Sequence, residues 1–197
     1  VATIEQFPLW INTKVELLLV LMGHKKATTV FVYGKTVSHE NTEVPPASKL
    51  RIKTIENFLG RLGLPYQTFP ADSITSKEYN EKYERVRICI GHDNQSLHSM
   101  VTMWQKLSKD GYPLADKVHG TLSGFPNSAI QAYLQQKLMP FSEQQTHTKG
   151  LEYDHFCQFR FSMDNWQEEL KTPERWAQEV KRLSPRLYTK FITMTVK

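Results

Sequence analysis

The sequence predicts an α/β fold: a mixed sheet with parallel inner strands and an antiparallel C-terminal arm, with helices on both faces. Three observations lead to this class. Apolar segments rich in β-branched and aromatic residues alternate along the chain with segments of helical periodicity. Residues 86–90 are apolar except for Arg87, which is typical of a central strand. Residues 153–163 alternate apolar and polar side chains, which favours a half-exposed antiparallel strand at a sheet edge.

Each predicted element in the first half of the chain has a local signal. Gly23 after an apolar run is typical of a helix end, and β-branched and aromatic residues at 27–33 indicate a strand. Ser48 suits the N-cap of the next helix, which Pro65 cannot continue. In chain order, this half is predicted to contain a helix at 12–22, a strand at 27–33, a helix at 48–62, an extended segment at 66–69, a charged helix at 77–83 and the strand at 86–90.

The second half is predicted from signals of the same kind. An apolar stripe of helical spacing begins at Leu97, and Gly124 with Pro126 ends one helix and starts another. Pro173 suits the first turn of a later helix. In chain order, we expect a helix through 97–107, helices at 114–122 and 127–138, a loop at 139–149, the strand at 153–163, a helix from 172 and a last strand at 187–196.

Length and composition indicate an ordinary globular protein. The 197 residues fit one domain, predicted to span 1–197, and the apolar and charged fractions of 40% and 23% argue against disorder. The longest apolar run, 15–22, contains Glu16 and is far shorter than the ~20 residues that cross a bilayer. The start of the chain has no basic segment followed by an apolar stretch. We therefore expect a soluble cytoplasmic protein with no membrane partner.

The two cysteines, Cys89 and Cys157, both fall in predicted strands. A disulfide framework needs more cysteines and an oxidising compartment. We therefore expect two free thiols in the core.

The strongest candidate site follows the strand at 86–90. Gly91-His92-Asp93-Asn94 ends this strand and opens a helix, with His98 about one turn further on. Ligands of α/β proteins bind beyond the carboxyl ends of strands. His92 and Asp93 are the candidate catalytic residues, the imidazole as general base and the carboxylate as its orienter, although Asp93 also suits a helix cap. Gly91, Asn94 and His98 are candidate ligand-binding residues.

Lys35 follows the first predicted strand in the same way. If the strands at 27–33 and 86–90 are parallel, Lys35 and His92 lie at one sheet edge, where a cation beside an imidazole suits a small anionic molecule. The glycine-rich fingerprints of nucleotide sites are absent from the sequence, so it identifies no cofactor.

A third group of chemically capable side chains gives no metal pattern. It consists of His147, Glu152, Asp154, His155 and Cys157. Strand alternation would turn Asp154 away from His155 and Cys157, and neither H-E-x-x-H nor C-x-x-C is present. We therefore predict no metal site.

The net charge of +5 resides in the last 27 residues, which carry seven basic and two acidic side chains. A basic segment beside Trp176 and Tyr188 could bind nucleic acid or another acidic partner, with the rings available for stacking. The alternative is a solvated helix face, with Trp176 in the core. The candidate phosphate contacts are Arg175, Lys181, Arg182, Arg186 and Lys190.

Two functions of different classes remain open. The first is binding of a small anionic ligand at the carboxyl ends of the central strands, with hydrolysis or proton transfer as the chemistry if the protein is an enzyme. The second is a nucleic-acid or acidic-partner module that uses the basic C-terminal segment. An assembly domain is a third reading, in which the last strand pairs with another copy in a homo-oligomer.

Overall fold

The computed structural model describes residues 2–7, 9–34, 46–70, 72–75, 82–110 and 114–193. It is a mixed helix-and-sheet protein whose chain divides into two compact units. The sheet unit is Ala27–Thr102, and the helical unit comprises Val1–Lys26 and Met103–Lys197. The prediction of one domain over 1–197 stays a prediction.

The sheet unit has β4 at its centre. Strands β1 and β2 flank β4, and β3 also pairs with β4. The buried residues Val86, Ile88 and Ile90 confirm the prediction that this strand is central. Helix α3 packs against β1. In chain order the elements are β1 Ala27–Gly34, α3 Pro46–Leu62, β2 Tyr66–Thr68, β3 Asp72–Thr75, β4 Lys82–Gly91 and α4 Asn94–Asp110, the last of which continues past Thr102.

All pairings between the described strands are antiparallel, whereas the sequence predicted parallel inner strands. The strands β1 and β2 do run in one direction with α3 between them, as a crossover requires, but β4 lies between them in the opposite direction. Only residues 76–81 separate β3 from β4, and so short a connection joins antiparallel strands rather than parallel ones. The predicted helix at 77–83 lies mostly outside the described residues, and its last two residues belong to β4.

The helical unit contains the remaining elements. Trp176, Phe156 and Phe161 are among its largest fully buried side chains, together with apolar residues of α2. The burial of Trp176 confirms the alternative interpretation, in which this ring lies in the core. In chain order the elements are α1 Ala2–Gln6, α2 Ile11–Leu21, α5 Ala115–Leu122, α6 Asn127–Leu134, α7 Phe141–Thr148, a 3-10 turn Asp154–Phe156, α8 Trp166–Glu169, α9 Lys171–Leu183 and α10 Pro185–Ile192.

The strand predicted at 153–163 is wrong: its first residues form the 3-10 turn, and only Ser162 makes a β-bridge, to Leu138. Side chains take the place of a neighbouring strand. The Gln144 amide donates to the Phe159 carbonyl and accepts from the Phe161 amide, both at 3.0 Å. The buried Glu169 carboxylate accepts from the Ser162 amide at 2.8 Å. Because these side chains form hydrogen bonds with its backbone, the segment does not need to pair with a neighbouring strand at these positions.

The last predicted strand, at 187–196, is the helix α10, and residues 194–197 lie outside the described part of the chain. The Ser184 hydroxyl caps this helix by accepting from the Leu187 amide, and Pro185 occupies the first turn. Both are standard helix-start signals. The predicted antiparallel C-terminal arm, and strand pairing through it, are therefore absent from the described residues.

The loop predicted at 139–149 contains a helix, α7. The helix boundary predicted at Gly124 and Pro126 is confirmed, since α5 ends at Leu122 and α6 begins at Asn127. Within the described part of the chain, none of the helices has both the length and the apolarity needed to cross a bilayer.

Candidate functional site

At the end of β4, Asp93 acts as the N-cap of α4. Its Oδ1 accepts from the Ser96 amide at 2.7 Å, and its carbonyl accepts from the Leu97 amide at 3.0 Å. The side chains of His92, Asp93 and Asn94 are exposed. The helix-cap role considered for Asp93 is thus the one that its geometry displays, and the catalytic roles of His92 and Asp93 stay a prediction.

The predicted joint site of Lys35 and His92 required the strands β1 and β4 to be parallel. In the antiparallel β1–β4 pair, Ala27 faces Gly91, whereas Gly34 faces Glu84. The carboxyl ends of the two strands therefore lie at opposite ends of the pair, roughly 23 Å apart at 3.3 Å per residue. Lys35 itself lies outside the described residues. A joint site of the kind predicted is inconsistent with this pairing.

The other predicted ligand residues lie along α4 or at its start. Gly91 is buried, and an added Cβ would come within 2.6 Å of the Leu97 amide nitrogen, so the role visible for Gly91 is close packing. His98 is exposed on α4, with its Nε2 3.5 Å from the Thr102 hydroxyl.

The basic residues proposed to bind nucleic acid lie on α9 and α10. Lys181 pairs with Glu152 at 2.5 Å and Arg182 with Glu179 at 2.8 Å, all in exposed or half-exposed positions. Arg175, Arg186 and Lys190 are exposed. Trp176 and Tyr188 are 0% and 4% exposed, so neither ring is available for the stacking that this reading expected.

The group that contains His147, Glu152, Asp154, His155 and Cys157 is not arranged as a strand would arrange it. The 3-10 turn brings the His155 Nδ1 to 2.5 Å from the Asp154 Oδ1, where alternation had separated the two side chains. Glu152 instead bonds Lys181, and His147 stacks on Trp166 at 4.2 Å. In the described ranges, no three His, Cys, Asp or Glu side chains converge as metal ligands would.

A cavity of about 430 Å³ among the described residues of the helical unit is a further candidate site. Its walls come from α5, α6, the start of α7 and residues 157–160. Apolar and aromatic side chains dominate these walls, among them Phe125, Ile130 and Phe159. Polar groups come from the side chains of Asp116, His119, Tyr133, Gln144, Gln158 and Arg160. An apolar cavity with a few convergent polar groups is the usual form of a small-molecule site.

Gly120 lines this cavity, and Gly124 forms the turn that follows α5. Gly124 adopts φ +74° between the helices, and a Cβ there would lie 2.3 Å from the His24 carbonyl oxygen. Gly120 lies so close to Ile130 that a Cβ would come within 2.9 Å of its side chain. The backbone turn at Gly124 leads directly into Phe125, whose amide donates to the Gly120 carbonyl at 3.0 Å.

A buried ion pair supports the polar side of the cavity. Lys25, only 3% exposed, places its Nζ 2.7 and 2.8 Å from the Glu16 carboxylate oxygens and 2.6 Å from Gln158 Oε1. The Nζ also lies 4.8 Å from the Trp176 ring centre. Burial lowers the pKa of Lys25, and the Glu16 carboxylate opposes this shift. Because Oε1 of Gln158 accepts from the ammonium, the orientation of this amide at the cavity wall is set by Lys25.

His119 is the titratable base of the cavity. Its pKa is lowered from 6.5, first by desolvation and next by the positive charge of Lys25, while Asp116 and Glu16 oppose the shift. The imidazole is therefore predominantly neutral at pH 7 and able to accept a proton. Its ring meets Phe125 edge-on, with the centroids 6.4 Å apart.

Arg160 supplies the cation of the cavity wall. Its guanidinium donates to the Met139 carbonyl and lies 5.5 Å from the Phe141 ring centre. Its Nε is buried and has no hydrogen-bond partner among the described residues. A guanidinium held over an aromatic ring is well suited to a carboxylate, phosphate or sulfonate.

The thiols contribute no nucleophile at neutral pH. Cys89 is buried in β4, and Cys157 lies at the cavity wall. Desolvation raises the pKa of Cys89 to about 11 and that of Cys157 to about 12. Both are free thiols, as the sequence predicted, although Cys157 is half-buried and lies outside any strand.

None of the cavity residues was among the predicted site residues. The turn at Gly124 and Pro126 was recognised only as a helix boundary, and the residues that meet here span positions 116–160. Comparison with models of known protein families, with curated protein sequences and with solved structures finds no match to this chain.

Proposed function

We propose that the protein binds a small aromatic or amphipathic molecule with an acidic group in the cavity between α5, α6 and residues 157–160. The observation that carries this proposal is the pairing of an aromatic wall with the Arg160 guanidinium in one cavity of about 430 Å³. The aromatic rings would cover the apolar part of the ligand, and Arg160 would bind its anion. A small anionic ligand was the expectation from the sequence, and the proposal moves its site from the strand ends to this cavity.

Proton transfer is the chemistry that would fit this site if the protein is an enzyme. The neutral imidazole of His119 would accept a proton from the bound molecule, and the nearby Asp116 carboxylate would stabilise the imidazolium that forms. Gln158, held by Lys25, would orient the substrate by hydrogen bonding.

Replacing Arg160 by methionine should weaken binding of the aromatic sulfonate 1-anilinonaphthalene-8-sulfonate by about 10-fold, because a hydrogen bond to a charged group is lost. Binding of uncharged N-phenyl-1-naphthylamine, which has the same rings, should be nearly unchanged. Fluorescence titration measures both dissociation constants. Arg160→Lys, which keeps the charge, should restore part of the sulfonate affinity.

Two further variants test the location of the site. Ala129→Leu adds volume inside the cavity and should weaken both probes, whereas Arg186→Met removes an exposed charge on α10 and should affect neither. Circular dichroism establishes that each variant is folded. Equal affinities in wild type, Arg160→Met and Ala129→Leu would refute the proposed site.

The affinity for the sulfonate probe should rise as pH falls below 6.5. The pKa of His119 is lowered, so this side chain gains its proton at a lower pH than an ordinary histidine does, and the new positive charge then favours the anion. The sulfonate remains charged throughout, so the ligand does not contribute to the change. Titration at several pH values should show this rise in wild type and a flat profile in His119→Gln. The same pH dependence in both proteins would exclude His119 as its source.

A further inference from the structure

The sheet has one face that combines aromatic rings with arginines. Side chains alternate along a strand, so the buried Val30, Val32, Val86 and Ile88 turn to one face. Their chain neighbours, among them Phe31, Tyr33, Arg85 and Arg87, turn to the other face. Phe69, which follows β2, contacts Arg87 on the same face. We call these five residues the basic aromatic face.

The register places these residues in adjacent rows. Phe31 faces Arg87 across the β1–β4 pair, and Tyr33 faces Arg85. On the other side of β4, the Phe69 amide donates to the Arg87 carbonyl at 2.8 Å. One row is therefore Phe31, Arg87 and Phe69, and the next is Tyr33, Arg85 and, on β3, Asp72.

The side chains of the face touch one another. The Arg85 guanidinium lies 4.9 Å from the Phe31 ring centre, and the Arg87 guanidinium lies 5.9 Å from Phe31 and 5.4 Å from Phe69. The rings of Phe31 and Tyr33 are 6.5 Å apart. Each arginine is thus held beside a ring, which reduces the freedom it would lose on binding a partner.

The face is accessible from solvent. Tyr33 is 53% exposed, and Phe31, Phe69, Arg85 and Arg87 are half-buried. The exposed Tyr33 ring therefore belongs to a contiguous surface patch with a second ring and two arginines. These rows hold two arginines and one aspartate, Asp72, so their net charge is positive and favours an anionic partner. The rings favour a partner that also offers flat π-surfaces.

We propose that the basic aromatic face binds single-stranded nucleic acid. Unstacked bases of a single strand would stack on Tyr33 and Phe31, and Arg85 and Arg87 would contact the phosphates. A duplex keeps its bases stacked inside and would lose the ring contacts, so single strands are preferred. The proposal uses none of the basic residues of α9 and α10.

Binding should be measured by fluorescence anisotropy with a labelled short oligouridylate and a labelled oligothymidylate, over a range of salt concentrations. Tyr33→Ala should weaken binding by about 10-fold, because one base loses its stacking partner. Tyr33→Phe keeps the ring and should bind as wild type does. Arg85→Gln should weaken binding and reduce the slope of log affinity against log salt by about 0.7, which corresponds to one phosphate contact on a single strand.

Matched variants separate this face from other positive charges. Lys49→Gln removes an exposed charge of α3 in the same unit, and Arg186→Gln removes one of α10. Both should leave the affinity nearly unchanged. The ratio of RNA to DNA affinity identifies which nucleic acid is preferred, and a duplex of the same sequence should bind more weakly.

Three results would overturn the proposal: no binding of either single strand by the folded wild-type protein, an equal loss in Lys49→Gln and Arg85→Gln, or full affinity in Tyr33→Ala. A loss confined to Arg186→Gln would assign binding to the C-terminal helices instead. None of the substituted residues lines the cavity, so the two proposals are tested by different variants.

Discussion

Glu16→Leu is expected to lower the free energy of unfolding by about 3–5 kcal/mol, the range found when a buried ion pair loses one partner. Lys25 is 3% exposed and has both carboxylate oxygens of Glu16 within 2.8 Å of its Nζ. Without this carboxylate the ammonium is a buried charge without an ionic partner. Urea denaturation followed by circular dichroism measures the loss.

The pH dependence of the same variant checks the cause. Burial lowers the pKa of Lys25 in the folded protein, so its folded state is favoured at high pH, where the lysine is neutral, and is penalised as pH falls. The difference in free energy of unfolding between wild type and Glu16→Leu should therefore become smaller as pH is raised towards 10.5, the ordinary pKa of lysine. If this difference stays constant with pH, its cause is lost packing and not the buried charge of Lys25.

Two controls accompany this variant. The double variant Glu16→Leu with Lys25→Met replaces the pair by apolar groups and should recover most of the loss. Lys171→Ala breaks an exposed pair with Glu168, whose side chains are 68% and 72% exposed, and should cost at most about 1 kcal/mol. If Glu16→Leu costs no more than Lys171→Ala, the Lys25–Glu16 pair does not stabilise the fold as argued.

Gly91→Ala is expected to destabilise the protein by about 3 kcal/mol, at the upper end of the range for overpacking. The added Cβ would lie 2.5 Å from the Asp93 carbonyl oxygen and 2.6 Å from the Leu97 amide nitrogen. Both are backbone atoms at the start of α4, so no side-chain rotation relieves the clash. Thermal and urea denaturation both measure this effect.

The matched control is Gly60→Ala in α3. A Cβ at Gly60 meets no heavy atom within 4 Å, and alanine is the better helix former, so this variant should be more stable by up to about 1 kcal/mol. The same chemical change thus has opposite signs at the two positions. A Gly91→Ala protein as stable as wild type would show that the start of α4 moves without cost.

The local signals in the sequence were the dependable ones. The apolar run around Arg87 identified the central strand, and a helix cap was one of the two roles considered for Asp93. Gly124 with Pro126 marked a helix boundary, and a core position was one of the two alternatives for Trp176. Each of these features depends on residues within a few positions of one another, because caps, turns and amphipathic faces are formed by chain neighbours.

Alternating and apolar patterns did not predict the secondary structure of two segments correctly. Residues 153–163 alternate as a strand would, but the side chains of Gln144 and Glu169 take the hydrogen bonds that a neighbouring strand would otherwise make. The strand predicted at 187–196 is wrong for a local reason instead: the Ser184 cap and Pro185 are helix-start signals beside apolar residues that suit a strand or a helix. Apolar content alone does not separate the two periods in so short a segment.

The sequence by itself determined the mixed helix-and-sheet class, the central strand and, to within two residues, the boundaries of α2, α3 and α5. The tertiary structure alone decided the direction of β1 against β4, the rows of the basic aromatic face and the cavity beside Lys25. The contact between Lys25 and Gln158 joins residues 133 positions apart. Strand order and such long-range contacts depend on which distant surfaces pack together, and no pattern of neighbouring residues encodes that choice.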